Sequence, residues 1–174
     1  MSTDPRAVVE QTLRELDVQY ERIDVDKFAV ALPGEKRLKT ACWLVVGHHA
    51  LEVQAFVMRS PEENREQVFE FLLQRNQRMY GVAWALDSMG DVYLAGHLPL
   101  AAVTPDELDR LLGAVLEYAD GTFNALLELG FGASIKREWA WRVKRGESLA
   151  NLAAFRHLAE RGGQQGAERE DERA

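Results

Sequence analysis

The sequence predicts an α+β domain, in which helices pack on an antiparallel sheet of about five strands in the order α-βββ-α-ββ-α. Runs of alternating apolar residues are joined by short turns, which is typical of antiparallel strands. Each group of strands is followed by the same kind of helix start, Ser60-Pro61-Glu62-Glu63 or Thr104-Pro105-Asp106-Glu107. Both combine an N-cap hydroxyl, a proline in the first turn and a glutamate three residues after the cap, a combination that satisfies free backbone N–H groups. These two starts fix the predicted order of elements.

The first part of the chain is predicted to contain one helix and three strands. Asp4-Pro5 is a typical helix start, and apolar residues follow it at helical spacing up to Leu16. A weakly extended stretch at 20–24 precedes a strand that ends at Pro33-Gly34. Alternating residues at 38–46 and 51–57 then form a long hairpin.

The middle of the chain repeats this arrangement. A helix is predicted over 61–79, with an inner stripe of apolar side chains. Two strands follow, around 82–86 and 92–98, and they are joined by a turn at 87–91. The second capped helix is predicted from Pro105 to about 129, where Gly130 and Gly132 close it.

The last part of the chain is predicted to be helical and then disordered. Ser134 is expected to cap a helix that runs to about 145, and Ser148 is expected to open another. The run from residue 162 onward has no apolar stripe. The sequence thus predicts a single domain over 1–161, with a helical extension from about 134, and a disordered tail over 162–174.

The composition is that of a globular protein in the cytoplasm. The chain has 174 residues, of which 47% are hydrophobic, and a formal net charge of −7. This negative charge disfavours binding to nucleic acid or to anionic membranes. The single cysteine, Cys42, does not allow an internal disulfide, and no segment has the ~20 apolar residues of a membrane span.

No catalytic or metal-binding motif is present in the sequence. It contains no nucleophile elbow, phosphate-binding loop or dinucleotide fingerprint. His48 and His49 are adjacent and point to opposite sides of an extended chain, so they are predicted to lie in an exposed turn. The acids Glu62, Glu63 and Glu66 are explained as partners of a helix dipole. We therefore expect no enzyme activity, metal or cofactor.

One segment has a strongly biased composition. Residues 136–145 combine five basic residues with two tryptophans inside an acidic chain. Arg137, Trp139, Trp141 and Arg142 are the candidate partner-binding residues, because basic and aromatic side chains together bind acidic ligands. The competing interpretation is a closing helix, in which one tryptophan packs on the domain and the arginines pair with nearby acids. Nucleic-acid binding through this segment is the least favoured reading.

Several short motifs make the chain similar to one family. They are Leu32-Pro33-Gly34-Glu35, Val57-Met58-Arg59-Ser60-Pro61-Glu62-Glu63-Asn64, Arg75-Asn76-Gln77-Arg78-Met79-Tyr80, Gly90-Asp91-Val92-Tyr93-Leu94 and Leu127-Glu128-Leu129-Gly130-Phe131. With them the chain resembles an actinobacterial member of the YbjN-domain family of sensory or regulatory proteins. The resemblance extends over about 8–131 and implies a type III secretion chaperone-like fold, with extra C-terminal helices. It implies regulation and protein binding, and it supplies no catalytic residue.

The sequence therefore favours a non-enzymatic regulatory or chaperone-like domain that binds a protein partner. A homodimer is expected, because apolar residues on both faces of the strand at 38–46, Trp43 included, leave surplus apolar surface. The alternative is a small-molecule sensor or an enzyme with a pocket between sheet and helices. Arg59, Arg78 and His97 are the candidate residues of such a pocket.

Overall fold

A computed structural model describes residues 4–161. Its helices are α1 (Pro5–Glu15), α2 (Arg65–Asn76) and α3 (Pro105–Arg145). Its strands are β1 (Gln19–Asp24), β2 (Lys27–Pro33), β3 (Lys39–Val46), β4 (Ala50–Met58), β5 (Ala83–Leu86) and β6 (Val92–Pro99). Short 3-10 helices occupy Leu100–Ala102 and Ala150–Phe155, and residues 156–161 are helical.

The predicted α+β class with an antiparallel sheet is confirmed, and the sheet has six strands in the order β1-β2-β3-β4-β6-β5. The additional strand is the weakly extended stretch near residue 20, which pairs with β2 from Gln19↔Ala31 onward. Five of the six β1 side chains are exposed. An exposed edge strand carries no apolar alternation, which explains why the sequence signal was weak.

The core lies on one face of the sheet. The fully buried strand side chains, such as Leu44, Val53 and Leu94, pack with helix residues in one cluster. Alternate strand residues such as Trp43 point to the other face and are half-buried. We call this second side the outer face.

The predicted helix starts at Asp4 and Thr104 are confirmed. The Asp4 side chain accepts a hydrogen bond from the Arg6 N–H at 3.0 Å, and Thr104 accepts one from the Glu107 N–H at 3.3 Å. The predicted start at Ser60-Pro61 is wrong. Helix α2 begins at Arg65, after Asn64 in a left-handed conformation with φ of 52°. Residues 60–64 instead contact other elements.

Helix α3 is longer than predicted. It continues through Gly130 and Gly132, where closure was predicted, to Arg145, with a break at Phe131 (φ −139°, ψ 17°). The helix predicted from Ser148 is a 3-10 helix followed by the helical residues 156–161, and its Phe155 is buried. The predicted disordered tail lies outside the described residues.

One carboxylate of α3 holds the loop between β2 and β3. Asp120 Oδ1 accepts hydrogen bonds from the backbone N–H of Lys36 at 2.9 Å and of Arg37 at 2.8 Å. Gly34 is needed there, because a Cβ on it would lie 2.5 Å from that oxygen. Burial opposes ionisation of Asp120, but hydrogen bonds from the backbone of Arg37, Lys36 and Glu35 outweigh it and lower the pKa of this carboxyl.

The fixed loop positions the side chain of Arg37. Its guanidinium lies over the rings of Phe56 and Phe123, at 5.4 and 5.2 Å from their centroids. Its Nη1 donates to the Phe56 carbonyl at 2.9 Å and also to that of Val57. The register of the β4–β6 pairing shifts between Phe56 and Met58. Arg37 therefore donates to carbonyls at the point where the regular hydrogen-bond ladder is interrupted. Partial burial lowers the pKa of Arg37.

We predict that Asp120→Asn lowers the free energy of unfolding at neutral pH by about 1–2 kcal/mol, because a charged acceptor is replaced by a neutral one. The folded-state pKa of Asp120 is depressed. Its contribution is therefore present above the unfolded pKa of about 3.9 and is lost as pH falls through the lower folded value. Urea unfolding at several pH values measures the difference between variant and wild type.

Asp109→Asn is the matched control, since Asp109 lies exposed on the same helix. Its effect should be small at every pH. A difference between Asp120→Asn and wild type that stays constant down to strongly acidic pH would contradict the role of this carboxylate.

Candidate partner-binding surfaces

The break in α3 frees backbone carbonyls, and the segment before α2 satisfies them. Gly130 O accepts hydrogen bonds from the N–H of Glu62 at 3.0 Å and of Glu63 at 3.1 Å. Leu129 O accepts one from the Asn64 side-chain amide at 2.9 Å. Buried backbone groups without partners are costly, so these bonds make the break sustainable. We call residues 61–64 the clamp.

The clamp also begins the second half of α3. The Glu63 carboxylate accepts a hydrogen bond from the Ala133 N–H at 2.6 Å, as an N-cap side chain would. Ser134, predicted as that cap, instead bonds through its hydroxyl to the Glu62 carboxylate. Pro61 is buried against Gly130, where an added Cβ would lie 3.1 Å from the proline Cβ. Glu62 and Glu63, which are predicted to begin α2, therefore stabilise the start of the second half of α3 instead.

Beyond the break, residues 132–145 form what we call the basic arm. Trp139 is half-buried and Trp141 is 44% exposed, and two positions two residues apart on a helix point in different directions. Arg142 Nε pairs with the Glu138 carboxylate at 2.6 Å. Arg137 donates to the Ser134 hydroxyl at 2.8 Å and has no carboxylate within 4 Å among residues 4–161.

A second surface lies at the edge of the sheet. We call it the edge groove; its volume is about 350 Å³. The α2 residues Phe69, Leu72 and Leu73 and the β5 residues Trp84, Ala85 and Leu86 line it. Leu73 is 64% exposed and Leu86 is 45% exposed. Exposed leucines that face each other across a groove are typical of a contact surface.

The strand beside the groove is an edge strand. Among the described residues, strand β5 pairs only with β6, and no strand lies on its other side. The Asn76 side chain occupies part of this side: its Oδ1 accepts from the Trp84 N–H at 2.7 Å, and its Nδ2 donates to the Trp84 carbonyl at 3.3 Å. The amide thus takes the place of one residue of a partner strand, which limits uncontrolled strand pairing.

A cavity of about 600 Å³ lies between the end of α2, β5 and the middle of α3, and we call it the α2–α3 cavity. Of the three residues predicted for a pocket, Arg78 lines it. Arg59 instead lies over the ring of Phe131, 5.8 Å from the centroid. His97 is exposed on β6. The three side chains do not form one site.

Within residues 4–161, the cysteine thiol and the possible metal-binding side chains are not grouped into a reactive site. Burial raises the pKa of the Cys42 thiol to about 12, so the thiol stays protonated at neutral pH and is a poor nucleophile. No group of three or more His, Cys, Asp or Glu side chains in this range could hold a metal ion. None of the helices in the same range is long and apolar enough to span a membrane.

Comparison with known sequences identifies relatives over most of the chain. The sequence model of YbjN, described as "Putative bacterial sensory transduction regulator", matches residues 5–128. "Uncharacterized protein Rv0487" of Mycobacterium tuberculosis is 61% identical over 129 residues, 74% of this chain and 70% of the relative. "Uncharacterized protein ML2442" of Mycobacterium leprae is 55% identical over 132 residues, 76% of this chain and 72% of the relative.

Comparison with solved structures confirms the chaperone-like fold. A chain of "Structure of the HopA1-SchA Chaperone-Effector Complex" has a TM-score of 0.50 at 15% identity, covering 70% of this chain and 96% of that one. A chain of the heterodimeric complex ExoU-SpcU from the type III secretion system of Pseudomonas aeruginosa has a TM-score of 0.51 at 16% identity, covering 71% and 98%. The YbjN match ends just before the break in α3 and does not include the basic arm.

We predict that Glu63→Ala lowers the free energy of unfolding by about 1 kcal/mol, as the loss of an N-cap does. The backbone N–H of Ala133 should exchange faster with solvent, which hydrogen-exchange mass spectrometry or NMR measures. Glu66→Ala is the control, because this exposed glutamate lies in the first turn of α2 and should matter by less than about 0.5 kcal/mol. Unchanged exchange at Ala133 would contradict the capping role of Glu63.

Proposed function

The chain belongs to the YbjN family, and we propose that it is a non-enzymatic regulatory or chaperone-like domain that binds a protein partner in the cytoplasm. The edge groove carries this proposal. It exposes Leu73 and Leu86 beside a free strand edge, and its walls are almost wholly apolar. A partner segment that buries these leucines would gain about 1.5–3 kcal/mol for each side chain that it fully covers. The family and the fold resemble regulators and chaperones rather than enzymes.

The form of the groove favours an extended partner segment. An extended chain can hydrogen-bond to a free strand edge while its alternate side chains enter an adjoining apolar groove. Strand β5 offers such an edge, and the groove runs between it and α2. The Asn76 amide would be displaced from Trp84 by a partner strand that makes the same two bonds. The two structural neighbours come from complexes with protein partners, which supports the binding of a protein partner.

The basic arm is the second proposed contact. Trp141 is exposed and Arg145 lies over its ring at 4.9 Å from the centroid. Arg137 and Lys144 have no carboxylate within 4 Å among the described residues. Arg142 is already paired with Glu138, so it contributes less than the sequence suggested. An acidic segment of the partner fits this surface, with Arg137, Trp139, Trp141 and Arg142 at its centre.

We further propose that a second copy of the chain covers the outer face. This face carries apolar side chains beside the polar Glu52, Gln54 and His97 of its central strands; the apolar residues are Ala29, Ala31, Ala41, Trp43, Val45, Phe56, Ala83, Ala85, Tyr93 and Ala95. Trp43 is half-buried under the Lys27 ammonium, which lies 4.2 Å from its ring centroid. The Phe56 and Tyr93 rings meet edge to face, with centroids 5.5 Å apart. A symmetric dimer would bury this surface, which shares Ala85 with the edge groove.

We predict that the double substitution Leu73→Asp with Leu86→Asp abolishes partner capture with little loss of stability, because both side chains are largely exposed. A photo-reactive amino acid at position 73 should cross-link to a partner peptide in an extract of the producing cells. The same amino acid at position 38 is the matched control, since Leu38 is 84% exposed and distant from the groove. Mass spectrometry identifies the cross-linked peptides.

Equal cross-linking at positions 73 and 38 would contradict the edge groove as the binding surface. A double variant Arg137→Ala with Arg142→Ala tests the basic arm in the same assay. If it captures the partner as well as wild type does, the arm is not a contact. A purified nucleic acid in place of the extract should bind neither wild type nor variant.

The dimer makes a separate prediction. Size-exclusion chromatography with light scattering should give twice the chain mass of 19.7 kDa at micromolar concentration. Trp43→Glu should give the single-chain mass, because it places a charge at the centre of the proposed interface. Leu38→Glu, an equally drastic change at an exposed position, should remain dimeric. A wild-type monomer at this concentration would exclude the homodimer.

A further inference from the structure

The α2–α3 cavity is distinct from the surfaces proposed for protein partners, except that Trp84 lines both it and the edge groove. Its volume of about 600 Å³ is within the range of small-molecule sites, which are usually 300–1,000 Å³. The end of α2 forms one wall and the middle of α3 forms the other.

The charged lining of the cavity is positive, although the chain as a whole is negative. Arg75 and Arg78 line it, and neither guanidinium has a carboxylate within 4 Å among residues 4–161. Arg75 is held in place over the ring of Phe71, 3.3 Å from the centroid, and donates to the Phe71 carbonyl at 3.2 Å. Glu117 is the single acid in the lining. Two guanidinium groups against one carboxylate favour an anionic ligand.

The uncharged lining supplies hydrogen-bond donors beside apolar groups. The Tyr118 hydroxyl accepts a hydrogen bond from the Tyr80 N–H at 2.9 Å, so its own hydrogen is free to donate. Trp84 is 6% exposed, and its Nε1 is buried without a hydrogen-bond partner in the described part of the chain. Because this nitrogen is fully buried, a ligand in the cavity would contact the indole ring rather than its N–H, and the N–H signal would report the change in its surroundings. The Trp84 ring and the Met79 side chain offer the apolar contact.

A glycine on the α3 wall opens the cavity. Gly121 lies in the interior of a helix, where glycine is an unfavourable residue. A Cβ added there would meet no atom within 4 Å, so close packing does not explain the glycine. Gly113 lies on the same helix, equally open, but outside the cavity lining. A larger side chain at 121 would extend toward the space that a ligand would fill.

We propose that the α2–α3 cavity binds a small organic acid, whose carboxylate pairs with Arg78 and Arg75 and whose apolar body packs on Trp84 and Met79. The carboxylate and the two guanidinium groups make charge-assisted hydrogen bonds. The indole and the thioether contact the apolar part of the ligand. Binding of this kind requires no catalytic group.

Two probes of the same shape and different charge test the site. Indole-3-acetate carries the carboxylate, and indole-3-acetamide is its neutral counterpart. Titrated into the full ¹⁵N-labelled chain, indole-3-acetate should shift the Trp84 indole N–H signal, assigned with Trp84→Phe. It should bind at least about tenfold more tightly than the amide, the minimum expected of a hydrogen bond to a charged group. No saturable shift at millimolar concentration, or equal affinity for both probes, would overturn the proposal.

Variants locate the binding within the cavity. Arg78→Gln should reduce the affinity for indole-3-acetate to that of the amide. Gly121→Leu should block both probes, whereas Gly113→Leu should leave both affinities at the wild-type value. Both leucine substitutions replace a helical glycine, so their melting temperatures show whether each variant is folded. If the two leucine variants affect binding equally, the site lies elsewhere and the proposal fails.

Discussion

The backbone groups released at the break in α3 are the constraint on which the rest of this structure depends. An α-helix that breaks at Phe131 leaves carbonyls before the break and an N–H after it without helical partners. The clamp supplies partners on both sides, through two backbone N–H groups, one amide and the Glu63 carboxylate. Because residues 61–64 are used in this way, α2 begins only at Arg65.

The second constraint is that the sheet is covered on one face. All three helices contribute to the same buried cluster with the strand residues of one face. The outer face and the edge at β5 therefore stay accessible, and they carry the large side chains that no helix covers, such as Trp43 and Leu86. The loop after β2 is attached to α3 by hydrogen bonds to the Asp120 carboxylate.

Local charge, rather than net charge, distinguishes the surfaces. The chain carries −7 overall, yet Arg137 of the basic arm and Arg75 and Arg78 of the α2–α3 cavity have no carboxylate within 4 Å in the described residues. Other arginines are either paired with an acid, as Arg22 is with Glu10 at 2.8 Å, or lie over aromatic rings, as Arg37 and Arg59 do. Cations without a carboxylate partner make a surface of an acidic protein locally attractive to an anion. The buried Cys42 thiol and the scattered histidines offer no comparable grouping.

The sequence by itself determined the elements whose signals are local. Alternation of apolar residues predicted the inner face of β2, β3 and β4, and the caps at Asp4 and Thr104 begin helices as expected. The exposed strand β1 gave little signal because none of its side chains is fully buried.

The role of Ser60-Pro61-Glu62-Glu63 was decided only by tertiary structure. Its capping pattern is the same as that at Thr104, but the released backbone of Gly130, distant in sequence, takes its N–H groups. Likewise, the structure does not bring Arg78, Arg59 and His97 together in one site. The edge groove and the α2–α3 cavity are each lined by residues that are distant from one another in the chain. Local patterns fix which residues are helical or extended, whereas the pairing of donors with acceptors across the fold depends on which elements come together.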